Sequence, residues 1–186
     1  MKVAFCTPVR EGGKPTGPFI AALEASLPEL EAHEHYIVVE GGPYTSHNRA
    51  TMLAKAIDKG CETFVFIDDD MSWRPQDLKA LVEYEADCVS GLYRFKKDDE
   101  EYMGVLKTDH DGFPRLNKDG SMQGEKVPAG FLKLTLEAVR RFMRAFPELV
   151  YGDAERPSVD LFNHGAHKGV WFGEDYAFSR RYLEAG

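Results

Sequence analysis

The chain has little that would tie it to an oxidising compartment, a membrane or a polyanion. It holds only three cysteines, Cys6, Cys61 and Cys88, far apart and with no C-x-x-C pair. That is no disulfide framework. Cys6 and Cys88 lie in apolar, strand-like runs and read as buried free thiols, which points to a reducing, cytoplasmic setting. No apolar run approaches membrane-spanning length, so no membrane segment is expected. The first residues pass straight into a strand, Lys2 to Cys6, without the apolar region of a signal peptide. Basic residues are outnumbered, 23 against 31 acidic ones, and the net charge of −8 disfavours a broad nucleic-acid surface. The arginine clusters Arg140, Arg141, Arg144 and Arg180, Arg181 read as solvated helix faces or ion pairs. Internal repeats, low-complexity tracts and linkers are also missing. What remains is an ordinary globular balance, 43% hydrophobic and 29% charged over 186 residues. The expectation is a single domain, 1–186, large enough for a sizeable core.

Hydrophobic periodicity divides that domain into two halves. Strands are expected at Lys2 to Cys6, His35 to Glu40, Thr63 to Ile67 and Asp87 to Leu92. Between them lie helical stripes. One runs from Pro18 through Ile20, Leu23, Leu27 and Leu30, with Pro28 ending or kinking it. The next starts near Ser46, carries Ala50, Leu53, Ala54 and Ile57, and closes at Gly60. The third covers Pro75 to Tyr84. Strand and helix alternate four times in 1–92, which argues for a largely parallel sheet with helices on its faces. The half from 93 to 186 differs. Tyr93 to Lys126 is polar, with Asp111-Gly112 and Asp119-Gly120 as turn signals, and reads as a hairpin excursion or a mobile segment. Phe131 to Leu134 is a further strand candidate. Thr135 caps a helix with Leu136, Val139, Met143 and Phe146 on one face. A last helix spans Glu174 to Ala185, with Gly186 at the C-cap position.

The most informative stretch is Phe64-Val65-Phe66-Ile67-Asp68-Asp69-Asp70-Met71. A buried strand ends abruptly in three carboxylates that repel one another and lose hydration at a sheet edge. In extended backbone Asp68 and Asp70 point the same way. Two such carboxylates suit a hard divalent ion, Mg²⁺ or Mn²⁺, shared with a substrate diphosphate. Acidic residues also fill solvated turns, but open α/β sheets bind ligands at the carboxyl ends of their strands. A second site is Trp171-Phe172-Gly173-Glu174-Asp175-Tyr176, where two acids open a helix. They serve either as dipole partners or as a general base near the metal site. Arg49, in Ser46-His47-Asn48-Arg49, opens the helix after the second strand and faces a diphosphate or solvent.

Together these segments resemble a known family. Thr7-Pro8-Val9-Arg10, His47-Asn48-Arg49, Phe66 to Met71, Val89-Ser90-Gly91-Leu92-Tyr93, Ala129-Gly130-Phe131 and Gly173-Glu174-Asp175-Tyr176 look like the GT-A glycosyltransferases near the family 2 type, most of all small phage and bacterial members. The resemblance spans nearly the whole chain. It implies an α/β Rossmann-like sandwich of the nucleotide-diphospho-sugar transferase type, with 1–92 as nucleotide-binding half and 93–186 as acceptor-side half. It implies a nucleoside-diphosphate sugar as donor, UDP first, and Mn²⁺ or Mg²⁺ as cofactor. Thr7, Pro8, Val9, Arg10, Arg49, Asp68, Asp69 and Gly130 would bind the donor. Asp70 and Asp68 would hold the metal. Asp175, with its neighbour Glu174, would supply the base of an inverting transfer. Family members continue into a further strand and a metal-binding histidine, whereas this chain ends at Gly186; His164 or His167 is the expected substitute. The acceptor stays open between a glycan, a protein, a small molecule and a modified DNA base. A nucleotide-sugar-binding module without turnover and a nucleotidyltransferase are the alternatives.

Overall fold

The strand that carries the acidic triplet is buried at every residue, Thr63 to Ile67. Its side chains alternate between the two faces of a sheet, and helices cover both faces. The computed structural model describes residues 1–186. In chain order the elements are β1 (Lys2–Val9), α1 (Gly17–Ser26), β2 (Glu34–Gly41), α2 (Thr45–Asp58), β3 (Thr63–Ile67), α3 (Pro75–Glu83) and β4 (Cys88–Ser90). There follow β5 (Val105–Leu106), β6 (Gly124–Lys126), β7 (Phe131–Thr135), α4 (Leu136–Ala145), β8 (Val150–Gly152), β9 (Pro157–Val159), β10 (Gly165–His167), β11 (Val170–Phe172) and α5 (Glu174–Glu184).

The central sheet has five strands in the order β2-β1-β3-β7-β4. β1 runs parallel to β2 and β3, and β7 runs antiparallel to both β3 and β4. This is a mixed α/β architecture, as the alternation of the first half predicts. The difference lies in β7, which enters antiparallel and separates β3 from β4. No helix crosses between β4 and β7. The chain therefore leaves and re-enters the sheet at the same edge. Consequently the start of β7 lies at the carboxyl end of β3, where the amide of Asp68 donates to the carbonyl of Gly130 at 3.1 Å.

Phe64 and Phe66 point to the face covered by α2, α4 and α5, against Met52, Leu53, Phe142 and Phe178. Val65 and Ile67 point to the face covered by α1 and α3, against Phe19, Leu23, Leu78 and Leu81. Burying side chains of this size contributes about 1.5–3 kcal/mol each, so the two apolar layers carry most of the driving force. No helix is long and apolar enough to cross a membrane.

Local chemistry sets the helix ends. Thr16 caps α1 through its side-chain oxygen, and Pro28 follows the last α-helical turn, in a short 3-10 segment over Leu27–Leu30. Arg74 precedes Pro75 at the start of α3, where Asp77 reaches back to the Arg74 amide at 3.1 Å. The stretch 93–126 contains the expected hairpin pairing. β5 pairs with β6, and bridges join Arg94 to Tyr102, Thr108 to Pro114 and Leu116 to Met122.

One polar clamp ties the far end of the sheet to two helices. Asp87 accepts from Arg141 at 2.8 Å and from Thr135 at 2.9 Å, and Arg141 also donates to the Tyr182 hydroxyl at 2.7 Å. The Arg141 and Thr135 hydrogen bonds hold the Asp87 carboxyl below its usual range. A depressed folded-state pKa adds stability above the unfolded value that disappears as pH falls through the folded one. Urea unfolding of wild type should therefore weaken between the ordinary carboxylate pKa and the lower folded value. Asp87→Asn should be less stable at neutral pH and lose less over that acid interval. Parallel acid profiles for the two proteins would contradict this role.

Candidate functional site

Arg49 lies one turn into α2, yet only 2% of its side chain is exposed. Helix α2 packs on β1 and β2 and so sinks its first turn into the carboxyl edge of the sheet. Asn48 beside it donates to the carbonyls of Val9 and Gly42 at 3.4 and 3.3 Å, tying α2 to the ends of the first two strands. The Arg49 guanidinium reaches the Asp68 carboxylate at 2.8 Å and that of Asp175 at 3.5 Å, with Glu174 at 3.8 Å. Its Cζ lies over the Phe162 ring, 4.8 Å from the ring centre. One cation thus joins the strand-end acids to the acids that open α5.

Asp175 is held from two directions. One oxygen faces Arg49; the other accepts the Ala129 amide at 3.1 Å. The amide of Val127 donates to Ser179 one turn later at 3.0 Å, so α5 is fastened along the approach to β7. Burial pushes the Asp175 carboxyl above its ordinary range, while Arg49 and the Ala129 amide pull it back. Burial also raises Asp69, with the charges of Asp70 and Asp68 adding to the effect. Tyr93 reaches the same cluster, and burial raises its hydroxyl pKa first, the negative charges of Asp68 and Asp175 next.

Gly130 explains how closely these groups fit. A β-carbon there would sit 2.4 Å from the Tyr93 hydroxyl and 2.6 Å from an Asp68 oxygen. Only glycine allows that approach.

These residues border a cleft of about 420 Å³ lined by Pro8, Val9, Arg10, Arg49, the three acids Asp68, Asp69 and Asp70, and Glu174. Of the expected donor residues, Thr7 and Gly130 do not line it: Thr7 is buried within β1, and Gly130 is buried against Asp68 and Tyr93. Asp175 does not line it either. Glu174 is the member of that pair which faces the cleft. Glu11, Gly42, Pro43 and Thr45 complete the lining. The sequence reading gave no role to Tyr93, Ala129, Phe162 or Lys96. The first two belong to segments that carry the family resemblance; nothing in the linear pattern marks the other two.

The expected metal ligands do not converge. Asp68 turns to Arg49 and Asp70 pairs with Lys96. His164 sets its ring edge against Trp171 at 6.1 Å, and His167 sits against Phe172 at 6.4 Å. Both belong to the β10–β11 hairpin region, where aromatic neighbours hold them. The group of three side chains whose ligand atoms do lie within 4.8 Å of one another is Asp109, His110 and Asp111, all exposed on the excursion. The oxygen donors of Asp68 and Asp70 suit a hard cation, and Asp70 already attracts one in the Lys96 ammonium. The histidines do not fit such a site.

No protein-family model matches the chain, and no curated protein matches its sequence. Among solved structures, the crystal structure of A197 from STIV aligns with 98% of this chain and 78% of its own, at 16% identity and a TM-score of 0.51. At that identity the likeness shows a shared fold, and it extends over both halves of the chain.

The cluster makes a sharp stability prediction. Arg49→Met leaves Asp68 and Asp175 without their cation and should cost about 3 kcal/mol in urea unfolding. Asp175→Asn should cost less, because the amide keeps the shape. The double variant should lose less than the sum, by about 1 kcal/mol, since the two removals share one interaction. Strict additivity would show that the pair is not coupled.

Proposed function

We propose that this protein is a GT-A-type glycosyltransferase that moves a sugar from a nucleoside-diphosphate sugar, UDP first, to an acceptor hydroxyl with inversion. One observation carries the reading. Arg49 pairs with Asp68 at the end of β3 and with both acids that open α5, and the triplet and Glu174 line one cleft at the carboxyl edge of the sheet, with Asp175 half-buried beside Arg49. Ligands of open α/β sheets bind at that edge.

In this reading Pro8, Val9 and Arg10 line the nucleoside end and Arg49 lies where the diphosphate's charge builds up. Asp70 and Asp68 would hold Mn²⁺ or Mg²⁺, which supplies further neutralisation of the leaving group. The acceptor oxygen bonds to the anomeric carbon as the bond from that carbon to the diphosphate oxygen breaks, and the electron pair leaves with the diphosphate. The acceptor proton passes to the Glu174–Asp175 pair. Burial makes Asp175 more ready to take that proton than an exposed carboxylate, and the Ala129 amide fixes its direction. Arg49 stabilises charge from a preorganised position, with no side chain left to reorganise.

A second reading, a nucleotide-sugar-binding module, is favoured by one feature: both Asp175 oxygens are engaged within the protein. Two measurements separate the readings. Calorimetry with UDP should give binding with Mn²⁺ and much weaker binding with chelator, and Asp70→Ala should erase the difference. Equal affinity with and without metal would remove the proposed cofactor. For turnover, Asp175→Asn should keep donor affinity and lower transfer by on the order of 10² or more. A stable variant that binds donor and turns over normally would take Asp175 out of the chemistry.

A further inference from the structure

A second, larger groove, about 1040 Å³, includes Tyr93 in its lining and shares no lining residue with the first cleft. It runs along the outer edge of β4, the last strand of the sheet, which pairs with β7 on one side only. Consecutive residues Cys88 to Tyr93 form its floor. The α3 side supplies Trp73, Leu81 and Tyr84, and the excursion supplies Leu106, Met122 and Val127. Leu81 belongs to the apolar layer on one face of the sheet and Val127 packs on the other, so the groove meets the strand edge-on.

The backbone parity of that edge can be read. The Gly91 amide donates to Phe131, and the Thr135 amide donates to Asp87. In an antiparallel pair, bonding residues alternate with non-bonding ones. Asp87, Val89 and Gly91 therefore bond to β7, and the N–H and C=O groups of Cys88 and Ser90 point into the groove. Neither residue's outward backbone groups have a partner among the backbone bonds of loops, turns and caps or in the side-chain bonds of the chain. A strand edge offers donors and acceptors at a fixed repeat, a pattern that another extended backbone matches. The groove ends at Tyr93, where the returning chain bonds through the Met103 amide at 2.8 Å. Tyr93 is shared with the cluster of Gly130, Asp68 and Asp175.

We infer that the groove binds an extended polypeptide by strand addition to β4, and that this polypeptide is the acceptor, one of its hydroxyl side chains reaching the Glu174–Asp175 pair past Tyr93. The binding half of this inference stands alone; the acceptor half rests on the proposed transferase reading. Main-chain bonds to Cys88 and Ser90 supply affinity, and the apolar walls take alternate side chains.

The probe is the blocked heptapeptide Ac-Lys-Val-Thr-Val-Ser-Val-Lys-NH2, added to the full chain without nucleotide or metal. Two further versions carry N-methyl groups on the odd or on the even residues. Strand addition predicts that one N-methyl series binds about tenfold or more weakly while the other keeps its affinity. The amide resonances of Cys88 and Ser90 should shift in the heteronuclear NMR spectrum. Ser90→Pro removes one outward donor while sparing the ladder to β7 and should weaken binding similarly. Ser90→Ala, which loses the hydroxyl bond to Pro128 but keeps the amide, should not. Equal affinity for both N-methyl series overturns the inference. So does failure of the peptide to bind at about 1 mM, whether or not octyl glucoside occupies the groove. Peptide binding without any UDP–Mn²⁺ binding would keep the strand-addition site and remove its role as acceptor site. The reverse result would remove the groove and leave the donor reading intact.

Discussion

A buried guanidinium organises this protein's cleft. Arg49 is almost wholly removed from water, and a charge in that position needs partners on every side. Its two terminal nitrogens find them in Asp68, Asp175 and Glu174, its Cζ lies over the Phe162 ring, and its Nε alone stays without a hydrogen-bond partner. Those groups come from different parts of the chain: the end of β3, the first turn of α5 and the segment after β9. Once the guanidinium is buried, each must arrive for the charge to be satisfied. The same demand brings the second half of the chain onto the first. Planarity and permanent charge suit arginine to the task, whereas a lysine ammonium would reach one carboxylate and present no flat face to the ring.

The second constraint is topological. Because β7 runs against β3, its entry point meets the exit of β3, and the loop Ala129–Gly130 is pressed against the acidic triplet. Gly130 then has no room for a β-carbon, and the Ala129 amide is free to hold Asp175. The reversed strand also moves β4 to the outside of the sheet. That one reversal thus presses a loop against the acidic triplet on one side and opens a strand edge on the other. The excursion from 93 to 126 walls off this edge without pairing along Cys88 and Ser90, which leaves a groove where most sheets bury or blunt their margin.

The electrostatics of the cleft are unbalanced by design of the same elements. Arg10 and Arg49 face Glu11, Glu174 and the three acids of the triplet in one lining. Asp68 pairs with Arg49 and Asp70 with Lys96, while burial first, and then the charges of Asp70 and Asp68, keep the Asp69 carboxyl raised. A diphosphate entering such a cleft meets net negative charge. This is the physical reason that the donor reading carries a divalent cation with it.

The first half of the fold was legible in the sequence because its signals are local. Periodicity places β2 to β4, α2 and α3 within a residue or two, while β1 runs three residues further than expected, to Val9, and a cap such as Thr135 acts over a single turn. The acidic triplet after a buried strand and the two acids opening α5 were legible for the same reason. The direction of β7 was not, since Phe131 to Thr135 reads the same in either sense, and only its pairing with β3 and β4 sets it. The burial of Arg49 was not legible either: at a helix start arginine is ordinarily solvated, and its partners lie far along the chain. The histidines show the converse. His164 and His167 have metal-binding chemistry, but at the short β10–β11 hairpin each neighbours an aromatic ring, and neither joins the triplet in a cluster of ligand atoms. The sequence by itself determined which residues could carry charge, ligate or cap. The tertiary structure decided which of them meet, because bringing distant charges together requires a buried scaffold whose strand order no local pattern encodes.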